Sequence, residues 1–82
     1  MGEKAFRINA SWDAEAGVWI ATSEDIQGLC AQADTFDELC EVVTELAPEL
    51  LVANGQLDAS KPGDIPLDFL AHRQTCAQVG HG

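Results

Sequence analysis

From Phe6 to Asp13 apolar and polar residues alternate, with Phe6, Ile8, Ala10 and Trp12 on one side and Arg7, Asn9, Ser11 and Asp13 on the other. A repeat of two is that of a strand with one buried face, so the spacing predicts a first strand over about residues 5–12. "DAEAG" follows, and Gly17 takes positive φ at little steric cost, which lets the chain reverse into "VWIATS" as an antiparallel hairpin. This second strand, about 18–23, sets Val18 and Ile20 on one face and Trp19 and Ala21 on the other, so both faces carry apolar groups. "SEDIQG" is polar and ends in Gly28, a turn signal ahead of a short third strand of small residues at about 29–33.

The repeat then lengthens. Phe36, Leu39, Cys40, Val43, Leu46, Ala47 and Leu50 follow helical spacing, which predicts a helix over about 36–53. Thr35 is placed to cap it, with Glu38 three residues on reaching back to the cap's own N–H, and Gly55 after Asn54 marks the stop. Pro48 predicts a kink, because it lacks the N–H that would meet the Thr44 carbonyl and its ring crowds that carbonyl. "DASKPGDIP" reads as a linker. Ile65, Leu67, Phe69 and Ala71 then alternate as a fourth strand over about 65–73, a helix from Leu67 being the competing reading, and 76–82 reads as a frayed tail. The expected fold is a single α+β domain: an antiparallel β-β-β-α-β sheet with one helix packed on one face.

Eighty-two residues bury only about 60% of the surface that the unfolded chain exposes, and much of the 46% apolar fraction is alanine. The core is therefore thin, and pairing with a second copy would add to it. Fourteen acidic against four basic residues give a net charge of −10. That charge repels a phosphate backbone, disfavours direct nucleic-acid binding, and attracts a basic protein. No apolar run approaches the roughly 20 residues of a membrane span. "MGEKAFRINA" lacks the basic-then-apolar order of a secretory signal, and three cysteines without paired spacing point to a reducing cytoplasm.

Candidate chemistry is sparse. Glu38, Glu41, Glu45 and Glu49 recur at steps of three or four along the polar side of the helix, where each like-charge pair costs about 0.2–0.5 kcal/mol. They are either a solvated face or an acidic ridge for a basic partner. Cys30, Cys40, Cys76 and His72 show no C-x-x-C or H-x₃₋₅-H spacing, so no metal site or cofactor is predicted, and Cys30 and Cys40 read as small core residues. His72 and His81 are the only imidazoles, neither beside a nucleophile motif, and no G-x-S-x-G, phosphate loop or H-E-x-x-H occurs. No catalytic residues are assigned and no enzyme is expected. Trp12, Val18, Trp19 and Ile20 supply much of the large apolar surface of the sheet, either as core or as the interface of a homodimer that covers the face the helix leaves open.

With that order of elements established, the stretch "DAEAGVWIATSEDIQGLCAQADTFDELCEVVTELAPELLVANG" resembles the HicB-like antitoxin superfamily, and most closely its short standalone relatives grouped as a bacterial domain of unknown function. The resemblance rests on the acid-containing turn before Val18, the "DIQGL" turn, the "ADTFDEL" helix start and "APELLVANG" at the helix end, with "IPLDFLAHR" as the last strand. It implies a partial ribonuclease-H-like fold without the full set of catalytic acids. It also implies binding to a small basic toxin-like protein; many HicB antitoxins add a C-terminal module that binds operator DNA, and none is expected here. Gln27 stands before Gly28 where proline is frequent in HicB proteins, and Pro48 lies in the helix; both favour the standalone relatives.

The reading that follows is a non-catalytic protein-binding domain of antitoxin type that masks a small basic partner. The alternative is a small-molecule or divalent-ion sensor, or a residual hydrolase, using the sheet surface and acids such as Asp13, Glu15, Glu24 and Asp25.

Overall fold

The structure, a computed structural model, describes residues 5–58, 60 and 63–79. Its elements are β1 (Phe6–Asp13), β2 (Val18–Thr22), β3 (Cys30–Ala33), α1 (Phe36–Ala53) and β4 (Leu67–His72), joined in one sheet of order β3-β2-β1-β4. The α+β class and the β-β-β-α-β order are those expected. One strand direction differs: β1 pairs antiparallel with β2, and β2 with β3, but β4 runs parallel to β1, so the sheet is mixed. The reason is topological. Parallel neighbours need a crossover, and α1 supplies it by carrying the chain from the β3 edge back across one face to the β4 edge. The competing helix from Leu67 is not formed.

Register explains which face α1 covers. Ala10 pairs with Ala21, Trp12 with Trp19, Ile8 with Phe69 and Ala21 with Ala31, so these residues share the helix side. Ile8, Ala10 and Ala21 meet Leu39, Val43, Ala47 and Leu51, a stripe at four-residue steps along α1, in one buried core. The small residues Ala10, Ala21 and Ala47 at its centre let the helix lie close to the sheet. Val18, Ile20, Thr22 and Cys30 face the other way. Cys30, expected as a core residue, is therefore exposed beside Thr22, while Cys40 is half-buried on α1. Burial raises the Cys40 thiol pKa above its ordinary value, and the neighbouring Asp37 charge adds to the effect.

The β2–β3 loop does more than turn. Ile26 is fully buried and Leu29 nearly so, plugging the core from below α1. Beyond the end of β2, the Ser23 hydroxyl donates to the Arg7 carbonyl, and the Asp25 carboxylate accepts the Arg7 N–H at 2.8 Å. Two side chains thus continue the ladder where the partner strand has stopped, satisfying both backbone groups of Arg7. The Asn54 amide donates to the Gln27 carbonyl at 2.8 Å, and the Gln56 amide to the Asp25 carbonyl at 2.9 Å, tying the end of α1 to the same loop.

Candidate interaction site

The outer face of α1 begins at its cap. Thr35 has extended backbone, φ −126°, and its hydroxyl oxygen accepts the Glu38 N–H at 3.1 Å. The Glu38 carboxylate meets the Thr35 hydroxyl at 3.4 Å rather than the backbone N–H that a reciprocal capping box would use. Its charge still lies in the first turn with Asp37, at the positive end of the helix dipole. At the other end Gly55 takes φ 75°, and the N–H groups of Gly55 and Gln56 donate to the carbonyls of Val52 and Leu51, the paired bonds of a Schellman stop. Between these ends the helix runs through Pro48, and the Thr44 hydroxyl, one turn before it, donates to the Cys40 carbonyl at 2.6 Å.

Because the core stripe holds one side of α1 against the sheet, the opposite side faces solvent. Glu38, Glu41, Glu45 and Glu49 are all exposed there, on a stripe about 80° wide. Val42, 39% exposed, lies at the edge of this stripe, and with Glu45, Leu46 and Glu49 it lines a shallow depression of about 220 Å³. Val52 is exposed to a similar degree. The face is therefore a carboxylate ridge with an apolar flank beside Glu45 and Glu49, able to receive a cationic side chain by its head and its methylene stem together.

The other predicted residues separate into two groups. Trp12 and Trp19 lie on the helix side of the sheet in an edge-to-face run, with centroids 5.7 Å apart, then Trp19 to Phe36 at 5.3 Å and Phe36 to Phe69 at 6.2 Å. The Arg73 guanidinium lies 4.4 Å above the Trp12 ring, a cation–π contact. Val18 and Ile20 sit on the open face, half-buried. The four residues therefore form no common surface, since register puts the tryptophans and the aliphatic pair on opposite faces.

The acids of the alternative reading are also divided. Asp13 closes β1 and, with its carboxylate, accepts the N–H groups of Glu15 and Ala16 in the hairpin turn, while Gly17, at φ 70°, donates to the Asp13 carbonyl. Glu24 and Asp25 lie at the opposite end of β1, beside Arg7, roughly 20 Å away for a strand of this length. There, Ala5, Arg7, Asn9, Glu24, Asp25 and Asp68 line an open polar cleft. Among the described residues no group of three or more His, Cys, Asp and Glu side chains is placed to hold a metal ion. His72 is exposed on β4, and His81 lies outside the described residues. No described helix is long and apolar enough to cross a membrane.

Known proteins place the fold more closely. The crystal structure of a hypothetical protein, TTHA1013, from the extremely thermophilic bacterium Thermus thermophilus matches with a TM-score of 0.68 and 32% identity, over 93% of this chain and 100% of that one. No curated protein matches. The family model described as a domain of unknown function, DUF1902, matches residues 5–79, the whole of the sheet, the loop plug and the acidic helix, and the chain belongs to that family.

Proposed function

We propose that this chain is a non-catalytic protein-binding domain, HicB-like in design, which masks a small basic partner with the outer face of α1. The observation that carries this reading is the exposed stripe of Glu38, Glu41, Glu45 and Glu49 with the apolar flank of Val42 and Leu46 beside Glu45 and Glu49. Four carboxylates at this spacing repel one another along the free helix. A partner bearing Lys or Arg would relieve that repulsion and, with a net charge of −10 behind the face, would be drawn to it over a Debye length of about 10 Å at 0.1 M salt. Affinity would come from the desolvated centre at Val42, and specificity and on-rate from the surrounding charge. In this reading the domain acts by occupying its partner's surface, in the manner of an antitoxin, and the sheet serves to hold α1 in place.

The test is capture from an extract of the source cell, followed by binding measurements on the purified pair. The wild-type chain is expected to retain a small basic protein that the doubly reversed chain, Glu41→Lys with Glu45→Lys, does not bind. Equal affinity for both chains would overturn the proposal.

A further inference from the structure

The sheet has two open edges, and they are unequal. β3 offers four residues, whereas β4 is followed by an arm to Val79 with no helix or strand of its own, exposed at every residue from Leu70 to Val79. Leu70 is 49% exposed and Val79 99%. The molecule measures 62 × 30 × 18 Å, with a radius of gyration of 15.8 Å, where a compact chain of 82 residues has about 12 Å.

We infer that two copies of this chain pair antiparallel through their β4 edges, about a two-fold axis at Leu70. The Phe6 N–H donates to the Pro66 carbonyl at 3.0 Å. Successive residues of a strand turn their backbone polar groups to opposite sides. Those of Asp68, Leu70 and His72 therefore face β1, and those of Leu67, Phe69 and Ala71 face the open edge. An axis at Leu70 sets Phe69 against Ala71 of the second copy as a hydrogen-bonded pair, and Leu70 against its own counterpart as a non-hydrogen-bonded pair. On the open face of the sheet, Asp68 then lies opposite His72 of the second copy, a carboxylate against an imidazole donor, twice over. Centring the axis on Asp68 instead would oppose two carboxylates. The Leu70 register is the one that buries the exposed leucine and pairs the polar residues beside it.

The same register gives the arm a place. Each arm runs beside residues 63–66 of the other copy, Thr75 opposite Ile65 and Ala77 opposite Gly63. At that point this segment and α1 form a groove of about 460 Å³ lined by Thr44, Pro48, Gly63, Asp64, Ile65 and Leu67. The small and apolar arm residues Thr75, Ala77 and Val79 share one side of an extended chain and fit that groove. The pairing removes one open edge from each copy, joins the two four-stranded sheets into one, and involves none of the α1 glutamates, so it stands or falls apart from the acidic face.

Sedimentation equilibrium of the full chain is expected to give twice the 8.8 kDa chain mass. Leu70→Glu and Ala77→Asp are each expected to raise the dimer Kd at least tenfold with unchanged circular dichroism. His72→Asp, which opposes two carboxylates, is expected to weaken the dimer, and adding Asp68→His to restore it. Leu70→Cys in a Cys30→Ser/Cys76→Ser background is expected to form a symmetric disulfide on mild oxidation, since facing Cα atoms in such a pair lie about 4.5 Å apart. A chain that stays monomeric at millimolar concentration, or a dimer that withstands Leu70→Glu and does not cross-link at position 70, would overturn the inference.

Discussion

Asp25 accepts the Arg7 backbone N–H with its carboxylate at 2.8 Å, while the hydroxyl of Ser23, two residues earlier, donates to the Arg7 carbonyl. A strand that has outlasted its neighbour is thereby finished by side chains. Removing the acceptor leaves the Arg7 N–H to water. Asp25→Ala is expected to cost about 1–2 kcal/mol and Asp25→Asn less, because the amide oxygen still accepts, as read from urea midpoints.

Ile26, on the same loop, is fully buried against α1. Truncating it opens a cavity worth about 2–5 kcal/mol, against a total stability of about 4–12 kcal/mol for a chain this size. Ile26→Ala is expected to broaden or abolish the cooperative unfolding transition, which near-ultraviolet circular dichroism of the two tryptophans would follow.

The acidic face gives a stability prediction of opposite sign. Glu45 lies four residues from both Glu41 and Glu49. Glu45→Lys turns two repulsive pairs into attractive ones and is expected to stabilise the free chain by about 0.5–1 kcal/mol. A helix under selection for stability alone would gain from that change. A rise in urea midpoint together with loss of partner binding would mark the glutamates as kept for a partner, whereas a rise with binding intact would mark them as a solvated face.

The cysteines should separate by rate. Cys30 and Cys76 are exposed, and Cys40 is half-buried with its thiol pKa raised by burial and by Asp37. A raised pKa leaves less thiolate, the attacking form, at a given pH. A disulfide reagent at pH 8 is expected to modify two thiols quickly and one slowly, and the slow phase to gain rate as pH rises further. Three equal rates would contradict that environment.

Much of this architecture is legible in the chain because local chemistry dictates it. The alternation Phe6, Ile8, Ala10 and Trp12 marks β1, the change of repeat at Phe36 marks α1, and Thr35 and Gly55 bound it with a cap and a stop. What local pattern does not carry is pairing. Whether β4 runs with or against β1 depends on where α1 returns the chain, and the pattern around Leu67–His72 is the same in both cases. Cys30 reads as a core residue by type, yet register with Thr22 turns it outward. Asp13 and Asp25 read as ordinary turn acids. Their bonds to Glu15, Ala16 and Arg7 belong to the folded loops, and "SED" after a strand is the only local signal for the second of them. The glutamate stripe is visible as spacing, and the fold adds that Val42 and Leu46 line a shallow depression with Glu45 and Glu49 on one flank of it.

The central claim is that α1 binds a basic partner through charge around an apolar centre, and the salt dependence of that affinity tests it most directly. Between about 50 and 300 mM salt, where the screening length falls from roughly 14 to 6 Å, the Kd of the captured partner is expected to rise several-fold for the wild-type chain. A Kd that stays constant across this range, and is unmoved by Glu41→Lys with Glu45→Lys, would contradict the account.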